Sequence, residues 1–214
     1  MLHVIDTSSK KQYALKYFIK QGEYEQEKAQ MLAITKLIDA QLLQEIAAFM
    51  EVANDQLKVM MYSLGECSLQ GYCEIRNEEE GLYWFHNQEE LAHIVLRMHD
   101  ILEKLFAHNI FHSDIKPENF ILDKSSDWRY YTLKIIDFGV SGVGDFTSFR
   151  GYTPQYVMDG DKGEFKFSPQ RKEERLVFEY YQFGRTLQKI MMDSVQSQIN
   201  YDLKEVRDIF RIDH

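Results

Sequence analysis

The sequence predicts an α+β chain, with a small antiparallel sheet first and a mainly helical part after it. Three patterns carry this. Apolar residues alternate in short runs through the first 64 residues, a one-sided helix of about twenty residues occupies 88–108, and a second covers 171–192. Strands gathered early and helices gathered late favour segregated layers over a repeating βαβ order. A chain of 214 residues, 44% hydrophobic and 28% charged, has the composition of a soluble globular protein long enough to bury a core.

Residues 1–20 read as two strands around a polar turn. Leu2 and Val4 alternate in the first and Tyr13, Leu15 and Tyr17 in the second, with the turn at 7–11. Residues 23–38 read as a helix with Met31, Ile34, Leu37 and Ile38 on its apolar stripe and Glu23, Glu25, Glu27 and Lys28 beside it. Strands follow at 46–52 and 57–62, joined by Asn54-Asp55. Residues 66–87 are polar and aperiodic, with an acidic run at 78–80.

In the helix at 88–108, Leu91, Ile94, Val95, Met98, Ile101, Leu102 and Leu105 recur at i, i+3, i+4 and i+7, and Asn109 terminates it. Two short apolar strands, 120–123 and 133–136, flank a polar loop. Residues 140–150 form a Gly/Ser/Thr-rich loop. The helix at 171–192 places Leu176, Tyr180, Phe183, Leu187, Ile190 and Met191 on one face, and a polar tail runs to His214.

The net charge of −9 argues against non-specific nucleic-acid binding and against an anionic membrane surface. Cys67 and Cys73 have no C-x-x-C spacing, no apolar run reaches ~18 residues, and the N-terminus lacks a signal pattern. A cytoplasmic or nuclear compartment with reduced thiols is the expectation.

The chemistry gathers at 110–119, Ile-Phe-His-Ser-Asp-Ile-Lys-Pro-Glu-Asn, directly after the long helix. Asp114 can accept a proton, Lys116 can neutralise a phosphate and Asn119 offers an oxygen to a hard cation, which are the parts phosphoryl transfer uses. Asp137-Phe138-Gly139 ends an apolar strand 18 residues beyond Asn119. Asp137 adds a second oxygen ligand of the kind Mg²⁺ prefers, and Gly139 is expected to permit the turn that aims it. A zinc site at His108, His112 and Asp114 is disfavoured, because the His pair straddles the helix end and the rings would not share a face.

These two segments resemble the catalytic loop and D-F-G triplet of eukaryotic protein kinases, with Ser113 where the family usually has Arg. The resemblance spans roughly residues 10–195. It implies a bilobal kinase-like fold, with a partial N-lobe at 1–64 and a partial C-lobe at 65–214, clipped at both ends: no G-x-G-x-x-G precedes Lys16, and the family has several more helices after the one holding Gly184. It also implies ATP and Mg²⁺ as cofactors and phosphoryl transfer to Ser or Thr hydroxyls of protein substrates.

The implied roles follow residue by residue. Tyr13-Ala14-Leu15-Lys16 is similar to the V-A-I-K strand, so Lys16 meets the ATP phosphates and Ala14 the adenine. Glu27, or Glu25 as the alternative, pairs with Lys16. Met61 sits behind the adenine pocket, the backbone from Tyr62 through Ser63 to Leu64 meets the adenine edge, and Ile121 forms its floor. Asp114 and Lys116 act on the acceptor hydroxyl and γ-phosphate, with Asn119 and Asp137 on the metal. Thr153, in a segment resembling G-T-P-x-Y, bonds Asp114 and Lys116. His112 packs on Phe138, and Glu179 replaces the Asp of D-x-W-x-x-G.

Three departures keep a second reading open, that of a non-catalytic kinase-like interaction module: the absent glycine loop, Glu179 for Asp, and 157–160 in place of A-P-E. Ser113 removes the cation that usually receives a phosphorylated loop, so modification of Thr147 or Ser148 is not expected to be the main switch. The acidic run at 78–80 would favour basic protein substrates.

Overall fold

A computed structural model describes residues 2–6, 12–47, 50–65, 67–73, 88–123, 131–144, 151–153 and 171–210, with side chains to 191 in the last helix. The turn at 7–11, the acidic run, the loop at 124–130, Thr147, Ser148 and residues 154–160 lie outside the described residues.

The N-terminal part is a four-stranded antiparallel sheet in the order β1-β2-β4-β3, built from β1 (Leu2–Ile5), β2 (Gln12–Tyr17), β3 (Met50–Asn54) and β4 (Val59–Ser63). Opposed residues of an antiparallel pair share a face. Ala14 pairs with Tyr62 and Lys16 with Met60, while Leu15 pairs with Met61. Ala14, Lys16, Met60 and Tyr62 therefore share one face, and Leu15 and Met61 take the other.

Helix α1 (Gln21–Leu37) buries Tyr24, Glu27, Gln30, Met31 and Ile34, on a stripe matching the 3.6-residue period. Helix α2 (Ala40–Ile46) follows, and here the sequence expectation fails. Ile46, expected to open a strand, closes this helix instead. Asp39 caps it by accepting the Leu42 amide at 2.9 Å, and Leu43 and Ile46 are buried. The strand begins four residues later, at Met50.

Helix α3 (Gln88–Ala107) buries Ile94, Met98, Ile101, Leu102, Leu105 and Phe106. It stops where Asn109 takes a left-handed conformation, φ 54°, and donates its amide to Phe106 O. Residues Ile110–Phe111 (β6) then pair with Gly142–Val143 (β9), and Cys67–Ser68 (β5), Phe120–Asp123 (β7) and Thr132–Ile135 (β8) form a three-stranded sheet in the order β5-β7-β8. One continuous apolar core runs from Phe18 and Met31 through Met98 and Phe111 to Phe183 and Ile190.

The last helix, α4 (Lys172–Phe210), continues well past residue 192. Leu176, Phe183, Leu187 and Ile190 of its expected apolar face pack on the core, but that face is not buried throughout. Tyr180 and Met191 are exposed, whereas Arg175, Glu179, Gln182 and Thr186 are fully buried. Those four polar residues recur at helical spacing, so they line one stripe. Buried polar groups need partners, and the partners lie in the segment at 112–115.

Candidate active site

Strand β2 and helix α1 build the first cluster. The Lys16 ammonium lies 2.7 Å from Glu27 Oε2 and 3.0 Å from Asp137 Oδ1. Glu27 is buried and Glu25 is exposed, which settles which of the two meets Lys16. Burial works against the Lys16 charge, but the Asp137 and Glu27 carboxylates outweigh it and hold its pKa above the usual value. Burial pushes the Glu27 carboxyl up, Lys16 pulls it down, and Asp137 adds to the upward push.

The hydroxyl of Tyr62 completes the cluster by donating to Glu27 Oε1 at 2.5 Å. Sequence reasoning missed Tyr62 and put Met61 in its neighbourhood. Strand alternation explains the exchange: Met61 faces away from Lys16, and Tyr62 shares the face of Ala14 and Lys16.

Asp137 is reached through strand β8 and held in a left-handed conformation, φ 66° and ψ 68°. The unusual backbone is thus on Asp137, a residue type that tolerates it, and not on Gly139. Gly139 is needed for room. A Cβ there would lie 3.1 Å from Glu27 Oε2 and 3.4 Å from Asp137 Oδ1.

The second cluster centres on Asp114. Lys116 Nζ donates to Asp114 Oδ2 at 2.6 Å and to Thr153 Oγ1 at 2.9 Å. The Thr153 hydroxyl donates to Asp114 Oδ1 at 2.5 Å, and its amide does so at 3.1 Å. Asn119 Nδ2 donates to Asp114 O at 2.8 Å and to Oδ2 at 3.1 Å. Burial alone would raise the Asp114 pKa; Lys116 and Thr153 outweigh it and hold the carboxyl below the usual range. Asp114 is therefore ionised at neutral pH. The Ile136 amide donates to Asn119 O at 2.9 Å, which couples the backbones carrying Asn119 and Asp137.

A buried frame supports this loop. The His112 ring packs edge-on to Phe138, with centroids 4.9 Å apart, and its Nε2 meets Ile136 O at 2.8 Å. Glu179 accepts the amides of His112 at 3.0 Å and Ser113 at 3.0 Å. Its extra methylene relative to Asp therefore still reaches both. Gln182 Nε2 donates to Ser113 O at 2.8 Å, and Thr186 Oγ1 to Ile115 O at 2.9 Å. The Arg175 guanidinium donates to Ser113 Oγ and lies 3.4 Å from Glu179 Oε1. No apolar periodicity signals these contacts.

Between the clusters and the strand end, Ala14 is buried opposite Tyr62, and Leu64 and Ile121 are half-buried. A Cβ on Gly65 would lie 3.0 Å from Ile121 Cδ1, so the segment holding Ser63 and Leu64 runs directly against Ile121. The side-chain oxygens of Asn119 and Asp137 are of the kind a hard cation accepts, and a one- or two-ligand protein set suits Mg²⁺, which keeps waters and phosphate oxygens as its other ligands. The donor set fits the metal that the sequence implies.

The sequence profile described as protein kinase domain matches residues 1–157. The chain belongs to the protein kinase family. Relatives include serine/threonine-protein kinase ksp1 of Schizosaccharomyces pombe (strain 972 / ATCC 24843), 43% identical over 56 residues, which are 26% of this chain and 12% of that protein. A putative CBL-interacting protein kinase 13 of Oryza sativa subsp. japonica is 45% identical over 58 residues, 24% of this chain and 10% of the relative. The calcium and calcium/calmodulin-dependent serine/threonine-protein kinase of Lilium longiflorum is 39% identical over 62 residues, 29% of this chain and 12% of the relative. The matched segments thus span about a tenth of these relatives' own lengths. Among solved structures, the crystal structure of the BubR1 kinase domain superposes with a TM-score of 0.54 at 27% identity, over 65% of this chain and 42% of that one. The α+β architecture, sheet first and helices after, is that of the kinase fold. No described helix of this kinase domain is long and apolar enough to cross a membrane.

Proposed function

We propose that the chain is a serine/threonine protein kinase, with lobes at 1–64 and 65–214, that transfers the γ-phosphoryl group of ATP to a protein hydroxyl. The observation that carries this is Asp114, an ionised carboxylate that gathers Lys116, Asn119 and Thr153 in one hydrogen-bonded set. An acceptor hydroxyl gives its proton to Asp114 while its oxygen bonds to the γ-phosphorus. The bond from that phosphorus to the bridging oxygen breaks, and ADP leaves.

Lys116 turns its ammonium to the γ-phosphate, and Lys16 exchanges part of its contact with Asp137 for the α- and β-phosphates. Thr153 holds Asp114 in register for the hydroxyl. Asn119 and Asp137 would hold Mg²⁺, which supplies charge neutralisation between the phosphates. Ala14, Ile121 and the Ser63–Leu64 backbone frame the adenine, with Tyr62 in place of Met61 behind it. The net charge of −9 and the acidic run at 78–80 favour a basic protein substrate over nucleic acid, in a cytoplasmic or nuclear setting.

The test is Mg²⁺- and ATP-dependent labelling of a generic basic protein, with Asp114→Asn as control. Labelling of Ser or Thr lost in the variant is the expected result; equal labelling by both proteins overturns it. A second reading, a non-catalytic interaction module, draws on residues 157–160 standing where A-P-E is expected. It predicts nucleotide binding without transfer in the same assay.

A further inference from the structure

The kinase reading uses Asp114, and what fixes Asp114 comes from another element. Four residues of α4, Arg175, Glu179, Gln182 and Thr186, each contact the segment 112–115 and are each fully buried. Glu179, Gln182 and Thr186 satisfy backbone groups: the amides of His112 and Ser113, the carbonyl of Ser113 and the carbonyl of Ile115. Arg175 is different, because it contributes a charge.

Its guanidinium donates to Ser113 Oγ, lies 3.4 Å from Glu179 Oε1, and stacks over the rings of Phe111 at 5.6 Å and Phe178 at 5.8 Å. Ser113 is the residue with φ 71°, the strained point of the loop immediately before Asp114. A backbone in that region persists only where its surroundings determine it. A carboxylate buried as Glu179 is does not stay ionised without a cation. Among the described residues, Arg175 lowers the Glu179 carboxyl and the Asp114 carboxylate repels it, while burial keeps the nearby His112 ring neutral.

We infer that Arg175 is a positioning residue for Asp114: it favours the charged form of Glu179 on the amides of His112 and Ser113, and it holds the Ser113 turn directly. The inference deepens the kinase reading and rests on it. Ser113 occupies the place of the arginine in the resembled loop motif, and the guanidinium reaches that place from α4. Burial pushes the Glu179 carboxyl up to about 7 even with Arg175 and two amides opposing, so little spare stabilisation of the charge remains.

The test compares wild type, Arg175→Gln and Arg175→Lys by steady-state kinetics across pH. Arg175→Gln should lower kcat by about 10²-fold at neutral pH, as a small misplacement of a reacting group does, with KM for ATP changed less than about twofold, since Lys16 and Glu27 are untouched. Its acid limb should move up by about a pH unit or more, so that activity returns at alkaline pH, and Arg175→Lys should restore most of both. An unchanged profile overturns the inference, as does a loss of kcat and nucleotide affinity together at every pH.

A second readout needs no turnover: the carboxyl carbon resonance of Glu179 and the amide resonances of His112 and Ser113. They should titrate together, and at higher pH in Arg175→Gln. If wild type transfers no phosphate, the kinase reading fails, and these resonances alone decide the clamp. Unmoved resonances overturn it.

Discussion

The Tyr62 hydroxyl donates to Glu27 Oε1 at 2.5 Å, inside the buried sheet-to-helix contact. Lys16 holds the other oxygen of the same carboxylate. Glu27 is thus fixed from a strand on either side, and α1 is fixed with it. Removing the hydroxyl leaves a buried charged acceptor one donor short, a loss of about 1–3 kcal/mol. Tyr62→Phe should lower stability by that amount in urea unfolding at neutral pH, with an unchanged m-value. Wild-type stability in the variant would mean that Glu27 does not depend on Tyr62.

Lys16 stands between two carboxylates, so Lys16→Met should show its cost as a function of pH. In the variant, burial and Asp137 push the Glu27 carboxyl up with no ammonium to oppose them. A carboxyl raised in the folded state favours folding while protonated, and that contribution is lost as pH climbs through the raised value. The stability gap to wild type should therefore be small near about pH 5 and wider near about pH 8. It should narrow again only above the raised Lys16 value, where the wild-type ammonium itself would lose its proton. A gap of constant width between the two lower conditions would show that Glu27 is not under the field of Lys16. Nucleotide affinity should fall at least about tenfold, the factor a single charge-assisted contact carries.

Asp114 has the opposite sign. Its folded pKa is depressed, so it stabilises above the usual carboxylate value of 3.8, and the contribution disappears as pH falls through the folded value. Asp114→Asn should flatten the acid limb of the stability curve relative to wild type. In kinetics it should cut kcat by about 10²–10⁴-fold, as the loss of a general base does, with nucleotide affinity within about twofold. A stability curve that parallels wild type down to acid pH would remove Lys116 and Thr153 as its stabilising partners.

What could be read in advance follows from where each partner lies. Asp114, Lys116 and Asn119 fall within six residues, and Asp137 ends a strand at a fixed interval, so their order along the chain announces them. Glu27 was legible because Met31, one turn on, shows which way α1 faces. Tyr62 was not, because choosing between adjacent strand residues requires the register of β2 against β4. Helix α2 was hidden behind Ile46, whose β-branched side chain suits a strand, while the Asp39 cap was the contrary signal. The stripe Arg175, Glu179, Gln182 and Thr186 was hidden most completely. Its partners lie 62 to 71 residues upstream, and a count of apolar periodicity assigns polar residues to solvent. Polar burial is set by the loop, not by the helix that supplies it.

Gly139 offers a prediction that separates space from flexibility. If its value were backbone freedom, Gly139→Ala would act through φ and ψ, yet the strained residue is Asp137. If its value is room, the added methyl must press on Glu27 Oε2, 3.1 Å away, which Lys16 grips in turn. The carboxylate cannot retreat without stretching the Lys16 contact or the Tyr62 contact on its other oxygen. Overpacking of this kind costs about 1–3 kcal/mol. Gly139→Ala should therefore destabilise the fold by that amount and weaken nucleotide binding several-fold. Shortening the crowded side chain, in Gly139→Ala with Glu27→Asp, should recover part of the stability, measured by urea unfolding. If the double variant is instead less stable by the sum of the two single losses, the methyl and the carboxylate do not meet, and the glycine serves the backbone after all.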